Sequence, residues 1–199
     1  MAYGANNHGS IIEIAGKWYI FYHRHTNGTW YSRQGCAEAI SFEEDGRILQ
    51  AEMTSGGLNQ GPLWGEGEHP AYLACNLFTS TPSVYVGDDR FPKIVQEGRD
   101  GDEEPGYIAN IRNTATAGFK YFLCKDIHRI SITARGYADG IFEIRTKWDG
   151  EALVTIKVEY SNVWEEYSAP IGLTNGVYAF YITYVGEGNA SIKSFALSR

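Results

Sequence analysis

The 199-residue chain has no apolar run approaching eighteen residues, so no stretch of it is expected to cross a bilayer as a helix. Its first ten positions lack the basic and apolar regions of a secretory leader, and no signal peptide is expected in this chain. Basic residues are few, 17 against 24 acidic, and the formal charge of −7 argues against binding nucleic acid or an anionic membrane through bulk electrostatics. Cysteine is scarce as well. Cys36, Cys75 and Cys124 are an odd number at no metal-ligand spacing and are expected to be buried free thiols. Helical periodicity is absent, which points away from bundles and coiled coils.

What the chain does have is 14 Tyr, 9 Phe, 5 Trp and 23 Gly among strand-like runs, the composition of an all-β protein with many turns. Ser10 to Ile14 is a short β-branched run, Ala15-Gly16-Lys17 reads as a turn, and Trp18 to Tyr22 is an aromatic run. The two runs pair most simply as an antiparallel hairpin. Arg33 to Ser41 and Arg47 to Glu52 flank a second turn, Glu43-Glu44-Asp45-Gly46. Four strands in about fifty residues is the size of one propeller blade.

Asn6-Asn7-His8-Gly9-Ser10, the aromatic strand ending in Tyr22-His23-Arg24, Cys36-Ala37-Glu38, Glu52-Met53-Thr54-Ser55 and Pro70 to Asn76 together resemble the last blade of the five-bladed catalytic propeller of glycoside hydrolase family 43. That resemblance implies a parent enzyme acting on xylan, arabinoxylan or arabinan by inversion. It also implies that the general base, the general acid and the acid-tuning Asp sit on earlier blades, so no catalytic residue is assigned here. Inversion needs two carboxyls roughly 6.5 to 9.5 Å apart with a water between them. Glu43, Glu44, Asp45, Glu66 and Glu68 fall in turns and a Gly-rich loop, where carboxylates keep ordinary acidity and hold no sugar. By the same resemblance His8 is the residue that, in the parent enzyme, meets a calcium ion on the propeller axis. For this chain no cofactor is expected, because calcium prefers six to eight oxygen ligands. Arg24 either faces the parent's substrate pocket or meets solvent at a strand end.

Thr79 to Ser83 reads as a connector, and Gly98 to Gly106 as a polar acidic loop that lacks a full twelve-residue calcium pattern. Beyond it, strand candidates recur every eight to twelve residues: Tyr107–Ile111, Gly118–Leu123, Arg129–Gly136, Gly140–Thr146, Ala152–Val158, Glu165–Ala169, Gly176–Val185 and Ser191–Leu197. Such spacing is that of a β-sandwich. The expected fold is therefore all-β: a four-stranded antiparallel blade over residues 1–77, a linker over 78–89 and a jelly-roll sandwich over 90–199.

Tyr107-Ile108-Ala109-Asn110, Ala117 to Phe122, Arg135-Gly136-Tyr137, Trp164-Glu165-Glu166-Tyr167 and Gly176-Val177-Tyr178-Ala179 resemble family 6 carbohydrate-binding modules. The resemblance implies a site in which a Tyr and a Trp grip one sugar ring while an Asn near the C-terminus binds its hydroxyls. Tyr107 and Trp164 fall where that pair belongs; the alternative is that Trp164 packs in the core and Tyr107 beneath the acidic loop. An amide offers a donor and an acceptor together, which suits vicinal hydroxyls. Here the chain departs from the pattern. Ser191 stands in the Asn slot and Lys193 where an Asp helps hold a structural calcium, and Asn189 lies two residues upstream. Trp148, before Asp149-Gly150, is a candidate second contact.

Three readings follow: a fragment whose sandwich binds xylan-type polysaccharide or oligosaccharide, a hydrolase that works only when another chain supplies the missing blades, and a remnant that binds nothing. A lone blade exposes Trp18, Ile20 and Tyr22, so it is expected to dock on the sandwich or to join two copies as a homodimer. The parent enzyme is expected outside the cell or in the periplasm.

Overall fold

Two-residue turns and period-two patterning organise the chain from its first described residues. The computed structural model describes residues 8–80, 87–96 and 106–199. Strand β1 (Ser10–Ile14) returns through a two-residue loop into β2 (Lys17–His25), with Ile14 opposite Lys17. Ala15 and Gly16 both take positive φ, 51° and 77°, as the tightest hairpin turn with right-handed strand twist requires. Strand β3 (Arg33–Ile40) completes a three-stranded antiparallel sheet in the order β1-β2-β3.

The fourth strand expected over Arg47 to Glu52 does not form. Only a single bridge joins Phe42 to Ile48, closed by the turn in which Glu43 N–H donates to the Arg47 carbonyl at 2.8 Å. Ile48 and Leu49, the apolar residues of that segment, stay exposed, so no burial rewards extending the pairing.

The remaining strands make two six-stranded sheets. They are β4 (Leu63–Trp64), β5 (Gly67–Pro70), β6 (Asn76–Phe78), β7 (Lys93–Val95), β8 (Tyr107–Ile111), β9 (Thr116–Cys124), β10 (Arg129–Gly136), β11 (Ala138–Arg145), β12 (Val154–Val158), β13 (Ser161–Pro170), β14 (Gly176–Gly188) and β15 (Ala190–Ser198). A 3-10 turn, Ala71–Leu73, lies between β5 and β6. One sheet runs β13-β10-β15-β8-β7 with β5 also on β15; the other runs β12-β11-β14-β9-β4 with β6 also on β9. Alternate residues point between the sheets, and Phe119, Phe122, Phe142, Phe180, Phe195 and Tyr184 fill that layer with no exposed surface. Each of the eight strand candidates from 107 onward lies on one of β8 to β15.

The sheets also reach across position 77. Strands β4, β5 and β6 come from the region assigned to the blade, yet they pair with β9, β15 and β9. At two to four residues each they are too short to show a period in sequence. The acidic segment 97–105 lies outside the described residues.

The first sheet docks on the sandwich through polar side chains. Arg24 donates from Nε to Gln34 Oε1 at 2.8 Å, from Nη2 to the Tyr72 carbonyl at 2.7 Å and from Nη1 to the Ala74 carbonyl. Asn27 N–H donates to the Ile94 carbonyl at 2.7 Å, and its Oδ1 accepts from Gln96 N–H at 2.6 Å. Arg24 thus braces the 3-10 turn instead of meeting solvent.

Candidate functional site

Tyr107 begins β8 and Trp164 lies on β13, at opposite sides of β10 and β15, yet their ring centroids are 5.3 Å apart at 71°. Arg135 on β10 lies against both rings. Its guanidinium carbon stands 4.3 Å from the Trp164 ring and 5.4 Å from the Tyr107 ring, cation–π distances for both. Ser191 sits opposite Arg135 across β10 and β15, on the outer face, because the neighbouring pair Ala134 and Ile192 is fully buried. Tyr107 and Trp164 are both half-buried, so neither belongs to the core and neither is fully free.

The rings meet edge to face, without a slot between them. A sugar held between two aromatic faces needs a separation of about 8 Å, twice the ~4 Å carbon–carbon contact distance. The corner as folded therefore presents the outer surfaces of Trp164 and Tyr107 with the Arg135 guanidinium against them. Asn189 is on the adjoining turn, where its backbone N–H donates to the Tyr137 carbonyl at 2.9 Å. Gly188 before it has φ 72°, and a Cβ there would lie 1.6 Å from that same carbonyl, so only glycine lets the turn approach so closely. Arg135 is the residue of this corner that sequence reasoning passed over: its motif was recognised, but its reach over the rings depends on strand order.

A second aromatic surface lies on the outer face of the other sheet. Trp148 stands edge-on to Phe78 at 5.2 Å and to Tyr181 at 5.6 Å. Tyr181 lies against Gly118, where a Cβ would come within 3.1 Å of the ring. With Met53, Asn76 and Lys120 these rings line a hollow of about 480 Å³. Lys120 Nζ meets Glu52 Oε1 at 3.0 Å, and the Tyr121 hydroxyl donates to the same carboxylate at 2.9 Å. Partial burial works against ionising Glu52, but the bonds from Lys120 and Tyr121 win and hold it below the usual carboxylate range. Trp148 is thus an exposed side chain seated in a built surface.

Between β2, β3 and the sandwich is a cleft of about 760 Å³ lined by Phe21, Leu58, Leu77, Phe91 and Ile94. Glu38 is buried at its wall and fully engaged: it accepts from the Tyr22 hydroxyl at 3.0 Å, Thr54 N–H at 2.8 Å and Thr54 Oγ1 at 2.7 Å. Burial, and then the Glu38 charge, push the Tyr22 phenol well above its ordinary range. Three of the acids weighed from the sequence have partners, and Glu68 lies on β5 instead of in a loop. Glu43 pairs with Arg47, Glu66 with Arg199 at 2.9 Å, and Glu68 accepts from Ser194 Oγ at 2.6 Å.

His8 lies across from His23, ring centroids 6.0 Å apart and nearly parallel. Among the described residues no three His, Cys, Asp or Glu side chains are grouped to hold a metal. Two imidazoles do not fit calcium, which takes oxygen ligands. All three cysteines are free: Cys75 and Cys124 are buried and Cys36 half-buried, with burial pushing Cys124 up to about 11.

No family model matches the chain. Over 203 residues, 99% of this chain, it is 59% identical to a curated xylosidase/arabinosidase from Thermoclostridium stercorarium. The chain is a homologue of that protein. It spans 43% of the relative's length. Among solved structures, a glycoside hydrolase family 43 arabinoxylan arabinofuranohydrolase from Bacillus subtilis, in complex with cellotetraose, matches 98% of this chain and 41% of its own, with TM-score 0.59 and 17% identity. A family 6 carbohydrate-binding module from Clostridium stercorarium in complex with cellobiose matches 70% of this chain and 98% of its own, with TM-score 0.56 and 16% identity. A family 6 module from Clostridium cellulolyticum in complex with xylose matches over 67% and 98%, with TM-score 0.53 and 13% identity. At these identities the likeness is one of fold. The resemblance read from the residues is borne out by the homologue and by both folds. The share matched by the modules exceeds what residues 90–199 supply, in keeping with β4 to β6 forming part of the sandwich.

Proposed function

We propose that this chain binds xylan-type plant polysaccharide and acts as the carbohydrate-binding portion of a xylan-degrading glycoside hydrolase. One observation carries the reading: on a family 6-type sandwich, strand order brings Tyr107, Arg135 and Trp164 into one half-exposed corner beside Asn189. The apolar C–H face of a sugar packs on an aromatic ring, while guanidinium and amide groups satisfy its hydroxyls. Hydrolysis by the chain alone is not part of this reading, because Glu38, Glu43, Glu66 and Glu68 are each committed to a partner. Xylan is an extracellular polymer, so this reading puts the parent enzyme outside the cell or in the periplasm.

Affinity electrophoresis in soluble xylan tests it. Retarded migration of the wild type, abolished in Trp164→Ala, is the expected result; unretarded wild type overturns the reading. Pentose released from an aryl xyloside or arabinoside by the pure chain would overturn its non-catalytic half. The first hairpin, which exposes Ile11 and Trp18 on one face and Ile12 and Ile14 on the other, favours a contact with a second polypeptide, either another copy or a chain bearing further blades. Light scattering of the pure chain checks the homodimer.

A further inference from the structure

Tyr137 and Tyr160 are large aromatic side chains that the corner just described does not use. Tyr137 is 75% exposed and Tyr160 58% exposed, yet their rings face each other with centroids 5.0 Å apart and only 33° between planes. They extend the β10–β13 pair past its last register position, Gly136 opposite Ser161. Tyr137 therefore directly follows β10, two residues beyond Arg135, and Tyr160 directly precedes β13, four residues before Trp164.

The backbone on both sides is braced. The Tyr137 carbonyl accepts from Asn189 N–H at 2.9 Å, tying it to the turn that carries the candidate amide. On the Tyr160 side, the Tyr167 hydroxyl donates to the Glu159 carbonyl at 3.1 Å, and Val163 N–H donates to Ser161 Oγ at 3.2 Å. A pair of exposed rings on a fixed frame is a stacking surface prepared before anything arrives, which lowers the ordering cost of binding.

We propose that Tyr137 and Tyr160 form an additional sugar-stacking subsite that contacts a further residue of the same polysaccharide chain held at the Tyr107–Trp164 corner. The inference rests on the polysaccharide-binding reading and deepens it: the ligand is an oligomer of several sugar units, not a single terminal sugar. Continuity with the corner through Arg135, Trp164 and Asn189 is what selects a glycan as the occupant.

Calorimetric titration with xylobiose and xylohexaose tests it on the full chain. The wild type is expected to bind the hexaose more tightly than the disaccharide. Tyr137→Ala/Tyr160→Ala is expected to lose about tenfold in hexaose affinity, the scale of one aromatic stacking contact, with xylobiose affinity changed less than twofold. Tyr137→Phe/Tyr160→Phe keeps the rings and is expected to stay within about twofold of wild type for both sugars. Unchanged hexaose affinity in the Ala variant overturns the subsite while leaving the corner intact. Wild type that binds neither sugar instead removes the polysaccharide reading, and the subsite with it. Self-association by light scattering that the Ala variant abolishes would reassign the pair to a protein contact.

Discussion

The three-stranded sheet and the sandwich are made of similar residues, but the sandwich has a closed layer between two sheets and the first sheet has none. All five residues of β1 are exposed, whereas six large aromatic side chains of the sandwich have no accessible surface. Sandwich strands gain from burial between two sheets, roughly 25 cal/mol per Å² of apolar area. The first sheet buries few side chains, Tyr19, Ala37 and Ile40 among them, and depends on polar links such as those of Arg24. Stability in this molecule therefore has two origins: apolar layering in one region, hydrogen-bonded docking in the other.

The comparison can be broken at its strongest point first. Phe122, fully buried against His69, Phe180 and Phe195, is expected to cost about 3–5 kcal/mol when replaced by Ala, a loss that chemical denaturation should report for the whole sandwich. A loss below 1 kcal/mol would mean that the layered core is not what holds it. Arg24→Ala comes next, at about 1–3 kcal/mol, because the Tyr72 and Ala74 carbonyls lose their donors. Hydrogen exchange should then speed up in β1 to β3 while the sandwich keeps its protection; uniform acceleration would erase the distinction.

A pH series sharpens it. His69 is packed between Phe122 and Phe195, and because the Gly65 carbonyl at 2.8 Å can only accept, Nε2 carries the proton of the neutral ring. Burial lowers its pKa from 6.5, so the unfolded chain takes up a proton more readily than the folded one. The neutral ring's contribution is fully present above pH 6.5 and is lost as pH falls through the lowered folded value. His69→Gln should flatten that acid limb of the stability curve; an unchanged slope would assign it to other groups. Ile12→Thr is expected to have the smallest effect, within about 0.5 kcal/mol, since the side chain is half exposed. Its informative readout is light scattering, where a shift toward monomer would identify exposed β1 as a self-contact.

Much of the second half was legible because alternation over eight-residue strands is a strong local signal, and β8 to β15 appear where the period put them. Strands β4 to β6 were not, since a pairing of two to four residues is chosen by the partner strand rather than by its own pattern. The Arg47 to Glu52 segment failed for the converse reason: it reads as a strand, but nothing covers it. At the candidate site, Tyr107 and Trp164 were found through family resemblance, whereas the contacts of Arg135 and of the Tyr137–Tyr160 pair were not legible even though Arg135 and Tyr137 lie in a resembling motif. Their contacts join residues on strands far apart in sequence, or at the ends of two strands that meet only in the sheet.

The amino-acid sequence by itself determined the all-β class, the turn at Ala15-Gly16 and the strand period of the sandwich, because propensity, φ preference and alternation act over a few residues. Only the tertiary structure decided that Arg135 would lie against both Tyr107 and Trp164, that Arg24 would brace a distant turn, and that the sandwich would recruit strands from before position 77. Those outcomes depend on which strand lies beside which, and strand order follows from burying both sheet faces at once, a property of the whole chain.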